Sequence, residues 1–195
     1  MLPSFQLSVP DSWTLLELAS PNRDAVLRRS VEASVGRSLP RPHVEKITRQ
    51  LRKAARESQA LGAVFAAGMF DFADGGAIQA IVTGAVVKPP EGADLSLAGL
   101  LASLGRPEPE RPGGPWARIG PVDLPAGPAA RLTGVDDLDL PGAGAQIRCA
   151  VTHTLVPAPG GERVVAIMCA SPNMSLVPQL HELFDAVTGT LVFLE

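Results

Sequence analysis

The chain has 195 residues, of which 46% are apolar and 19% charged. This is the make-up of a folded globular protein and excludes a disordered or collagen-like chain. No run of about eighteen uncharged apolar residues occurs, so no helix is expected to span a membrane. The net charge of −3 conceals two opposed regions: residues 22–57 hold ten basic and four acidic side chains, an excess of six positive charges, and the other seven basic and sixteen acidic residues leave nine negative. A bipolar chain of this kind invites an acidic partner at one face.

In chain order, Phe5 to Val9 alternates as a short strand, Pro10-Asp11-Ser12 turns, and Trp13 to Ala19 predicts a second strand. Leu27, Val31 and Val35 fall on one helical face that Gly36 closes. A second helix starts near Arg41-Pro42 and ends at Gly62, with Val44, Ile47, Leu51, Ala54, Ala55 and Leu61 as its apolar stripe. A hairpin follows, Ala63 to Phe72 and Ala77 to Val87, in which a symmetric register sets Phe72 opposite Ile78 and Phe70 opposite Ala80. Leu97, Leu100, Leu101 and Leu104 mark a short helix capped by Asp94 or Ser96. The Pro/Gly-rich stretch 105–115 is an excursion within a single domain spanning 1–195. Four strands close the second half, at about Trp116–Leu124, Ala129–Gly134, Ala145–Val156 and Glu162–Ser171. Ser175 is the expected cap of a last helix bearing Leu176, Leu180, Leu183, Phe184 and Val187, and Leu191-Val192-Phe193 ends extended.

Three segments carry a family resemblance: Phe5-Gln6-Leu7-Ser8-Val9-Pro10 leading to Trp13; Val122-Asp123-Leu124-Pro125-Ala126-Gly127-Pro128-Ala129-Ala130-Arg131-Leu132; and Leu183-Phe184-Asp185-Ala186-Val187 followed by Leu191-Val192-Phe193. With the order of elements, they make the chain resemble the PsbP-like α/β/α sandwich proteins, in particular the actinobacterial LpqN-type branch. The resemblance implies an α+β fold, a central antiparallel sheet sandwiched by helices. It implies a binding or assembly role without a shared catalytic constellation. Members are often exported or lipid-anchored, whereas Met1 to Trp13 has neither a basic, apolar signal pattern nor a lipidation cysteine, so the expected location is cytoplasmic.

The candidate chemistry is sparse. Two cysteines are too few for a disulfide framework or a thiolate zinc site. A symmetric turn at Pro157–Gly161 makes Cys149 and Cys169 cross-strand neighbours, a candidate redox pair weighed against two reduced core thiols. His43, His153 and His181 match no metal-protease spacing, and neither a nucleophile elbow nor a phosphate loop occurs. Asp136, Asp137 and Asp139 precede Pro141-Gly142 and read as a solvated turn rather than a cation loop. No metal or cofactor is expected. The remaining candidate is the basic face Arg28, Arg29, Arg41, Arg49, Arg52, Lys53 and Arg56. The absence of Tyr, and of any aromatic between Trp13 and Phe65, argues against nucleic acid. The sequence therefore predicts a non-enzymatic protein-binding or assembly module, accessory to secretion in one version, whose basic helices meet an acidic partner. A mean hydropathy of +0.18 adds self-association as an expectation. The alternative is a small-molecule binder or hydrolase with a Ser, an acid and His153 or His181 in a sheet–helix cleft.

Overall fold

A computed structural model describes residues 3–16, 18, 25, 28–29, 41–60, 62–73, 76–105, 114–140 and 145–194. Its elements are β1 (Ser4–Gln6), β2 (Thr14–Leu15), α1 (Arg41–Ala60), β3 (Ala63–Ala73), β4 (Gly76–Val87), α2 (Leu97–Ser103), β5 (Trp116–Leu124), β6 (Gly127–Leu140), β7 (Ala145–Pro157), β8 (Val164–Ser171), α3 (Val177–Thr188) and β9 (Val192–Leu194). The strand pairings are antiparallel and the fold is α+β. The chain forms two compact units, residues 9–85 and residues 1–8 with 86–195.

In the unit of residues 9–85, α1 packs on β3. The helix buries Thr48, Ala55 and Ser58, and β3 offers Ala66 and Ala67, small side chains that let helix and strand approach closely. The strand expected over Trp13–Ala19 is paired only at Thr14 and Leu15, against Gly68 and Ala67. Trp13 instead ends a turn, its N–H donating to the Pro10 carbonyl at 2.9 Å, and its ring is buried. The β3–β4 hairpin differs by one residue from the symmetric expectation. Ala73 pairs with Gly76, so Phe72 lies opposite Ala77 and Phe70 opposite Gln79. Two residues, Asp74 and Gly75, separate the paired ends, the favoured length for an Asp-Gly hairpin. Of the helix expected over Leu27–Val35, only Arg28 and Arg29 lie among the described residues.

The other unit is a four-stranded meander in the order β5-β6-β7-β8. Side chains alternate between its faces. Ala130, Leu155 and Val164 point to one face, where α2 covers them with Leu97, Leu100, Leu101 and Leu104. The Ser96 hydroxyl caps α2 by accepting from the Gly99 N–H, and the Asp94 carboxylate accepts from the Ser96 N–H, so both expected cap residues take part. The opposite face carries Val156, Val165, Ile167 and Cys169 and is covered by α3 through Leu180, Phe184 and Val187. Helices thus lie on both faces of this sheet. Ser175 does not cap α3. It sits in a 3₁₀ turn, Met174–Leu176, and α3 starts beyond it with Pro178 in the first turn, where the missing N–H costs nothing. β1 pairs with β9, joining the two ends of the chain.

β6 runs to Leu140 rather than stopping at Gly134, so Asp136, Asp137 and Asp139 are strand residues and not a turn. Cross-strand partners explain why carboxylates are tolerated there. Arg148 donates from Nε and Nη2 to the two Asp137 oxygens at 2.8 and 2.7 Å, and Gln146 donates to Asp139 at 3.1 Å.

Candidate functional site

α1 gathers five of the seven basic residues singled out by the sequence. At about 100° per residue, Arg41, Arg49, Arg52, Lys53 and Arg56 fall within an arc of roughly 120° beside the buried side of the helix. Arg41, Arg49, Lys53 and Arg56 are exposed, and Arg52, nearest the buried side, is half-buried. Glu45, also exposed, is the acidic residue inside this arc. Arg28 and Arg29 are exposed and helical in the same unit, and Arg29 Nε donates to the Ala25 carbonyl at 3.3 Å. The face can do one thing chemically: attract and hydrogen-bond carboxylates or other anions through rigid guanidinium forks.

The cysteine pairing expected from a symmetric hairpin is corrected. The β7–β8 loop closes with the Ala158 N–H donating to the Arg163 carbonyl at 2.9 Å, and Gly160 and Gly161 take φ of +92° and +72° inside it. Cys169 consequently pairs with Thr152. The shift from the expected register is odd, so Cys149 and Cys169 lie on opposite faces of the sheet and cannot form an intrachain disulfide without unfolding it. Both thiols are free and buried. Burial pushes Cys169 up to about 12 and Cys149 up to about 11, the latter helped by Asp136 and Asp137. Neither is a ready nucleophile.

The histidines do not assemble an acid–base centre. His181 Nε2 lies 3.0 Å from the Gly134 carbonyl, which only accepts, so this nitrogen carries the proton. Its ring meets Trp116 edge-on at 5.7 Å, and Arg118 stacks over the same indole at 5.3 Å. His153 stands on β7 between Leu132 and Met168. Its Nε2 is buried without a hydrogen-bond partner, and burial lowers its pKa, with Asp136 opposing. The Ser171 hydroxyl is buried and engaged with Asn173. His43 lies in the first turn of α1. Among the described residues, no three His, Cys, Asp or Glu side chains are grouped so as to hold a metal ion.

Sequence reasoning missed one constellation. Arg131, on β6, donates from Nη1 to Asp185 at 2.8 Å, from Nη2 to the Thr188 hydroxyl at 2.6 Å and from Nε to the Thr154 hydroxyl at 3.2 Å. Its side chain is only 12% exposed. Arg131 and Asp185 belong to two of the three segments that carry the family resemblance, and the first and third segments meet where Phe5 pairs with Phe193. No local pattern announces contacts between residues 54 apart.

No protein-family model matches the chain, and no curated protein does. Among solved structures, LpqN, described as involved in cell envelope biogenesis of Mycobacterium tuberculosis, is similar at a TM-score of 0.52 and 12% identity, over 99% of this chain and 84% of that one. The likeness is one of fold and supports a structural relationship to LpqN.

Proposed function

We propose that this chain is a non-catalytic binding module of the PsbP-like, LpqN-type kind, which meets an acidic protein partner through the basic face of α1 in the service of cell envelope biogenesis or secretion. The carrying observation is the alignment of Arg41, Arg49, Arg52, Lys53 and Arg56 along one side of a single helix. The fold likeness to LpqN supports the envelope setting. The arrangement of the histidines supports a non-catalytic reading: His181 is engaged by a backbone carbonyl and an indole, and His153 Nε2 faces no acid or hydroxyl.

The test compares affinity capture by the wild-type chain and by the triple variant R49E/K53E/R56E, produced side by side in the native host. An acidic protein retained by the wild type, released by salt and lost from the variant supports the reading. A specific partner retained equally by both chains overturns the assigned face. Sedimentation of the two chains alone tests self-association on the same surface.

A further inference from the structure

Within the basic arc, Arg49, Arg52 and Arg56 are separated by three and then four residues, and Glu45 stands four residues before Arg49. At about 100° per residue these four side chains occupy roughly 60° of the helix circumference. The stripe therefore runs almost parallel to the axis, and Arg49 to Arg56 covers about 10 Å at 1.5 Å per residue. Arg41 and Lys53 flank it. Three-and-four alternation along a straight line is the spacing through which one helix meets another. Each of the three positions is Arg rather than Lys, and a guanidinium presents a planar fork that matches a carboxylate.

We propose that this stripe docks an acidic helix of the partner, with carboxylates spaced to match the three arginines and a cation opposite Glu45. The proposal rests on the basic-face reading and names the shape of the occupant. Charge complementarity selects a partner with acids at the arginine positions, and Glu45 rejects registers that place another carboxylate opposite it. Opposed macrodipoles favour an antiparallel arrangement. Read from its own N-terminus, the docked helix then carries Glu at i, i+4 and i+7 and Lys at i+11.

The test measures fluorescence anisotropy of labelled, helix-stabilised peptides titrated with the full chain. One peptide carries the matched pattern, a second has the same composition with its charges permuted off the pattern, and a third is unstructured polyglutamate. The matched peptide is expected to bind about tenfold more tightly than the permuted one, the sum of several modest exposed ion pairs. R49E/R56E abolishes the difference, and E45K transfers the preference to a peptide with Glu at i+11. Circular dichroism verifies that the variants are folded. Equal binding of matched and permuted peptides, or tighter binding of polyglutamate, overturns the helix proposal while leaving the basic face as an anion-binding surface. If no peptide binds, the helix proposal falls and the capture experiment separately decides the face.

Discussion

Arg131 uses all three guanidinium nitrogens on groups of its own unit, one on the neighbouring strand and two on α3. Burial lowers its pKa and Asp185 opposes that shift, but arginine remains protonated, so the site holds a lasting buried cation. The two ends of the ion pair differ in environment, the Asp185 side chain being 53% exposed. Arg131→Ala therefore strips two hydroxyls and a carboxylate of their donor and is expected to cost about 2–4 kcal/mol in urea unfolding. Asp185→Asn leaves the cation its threonine partners and is expected to cost less than about 1 kcal/mol. Equal costs for the two would refute the clamp. The buried histidine gives a pH dependence of definite sign. His153 is less basic in the folded protein than the usual 6.5, so the unfolded chain takes up its proton first. Its contribution is complete above about 6.5 and is lost as the pH falls toward the lower folded value. His153→Leu should flatten the part of the stability decline that begins below pH 6.5. The cysteines predict a third measurement. Native protein should not react with a thiol reagent at pH 8, and both thiols should appear in denaturant. Mass spectrometry after oxidation should find no intrachain disulfide, because the register sets the thiols on opposite faces.

At the scale of elements, legibility tracks how local the determining physics is. β5 has the expected bounds, Trp116–Leu124, and α1 falls within a residue of its expected start, because strand alternation and helical stripes are written in neighbouring residues. Registers were not legible. Pro157–Gly161 announces a turn but not which residues close it, and that choice belongs to the Ala158–Arg163 hydrogen bond and two left-handed glycines. Gly160→Ala and Gly161→Ala should each destabilise by about 1–2 kcal/mol, the cost of a left-handed alanine. β6 was read too short because three aspartates resemble a loop, and their compensating partners Arg148 and Gln146 lie on another strand. Gly134 was read only as a strand end. A Cβ there would come within 2.1 Å of the Trp116 backbone oxygen, so the residue is fixed by the close approach of β5. Gly134→Ala should lower the thermal midpoint by several degrees for each kcal/mol of strain, and should also disturb the His181 contact with its carbonyl.

For the whole molecule, the informative property is where charge lies and not how much there is. The chain has pI near 5.6 and net charge −3, so a uniform distribution would keep it off a cation exchanger at pH 7. The basic face has another consequence. Fields of exposed charges reach about 10 Å at 0.1 M salt, comparable to the length of the arginine stripe, so a resin of fixed sulfonates meets this face before it averages over the acidic remainder. The wild-type chain should be retained on such a resin at low salt despite its net negative charge and should elute as salt rises. In R49E/K53E/R56E, three reversals of two charges each take the net charge from −3 to −9. That variant should pass through. As a control, Arg163→Glu changes the net charge by two units outside the face, and it should leave retention nearly unaltered. If the control shifts elution as much per charge as the triple variant, retention follows net charge and the segregated face has no separate electrostatic identity. If retention is lost only with the α1 reversals, the helix presents a coherent positive field, and that field is the property an acidic helix would recognise.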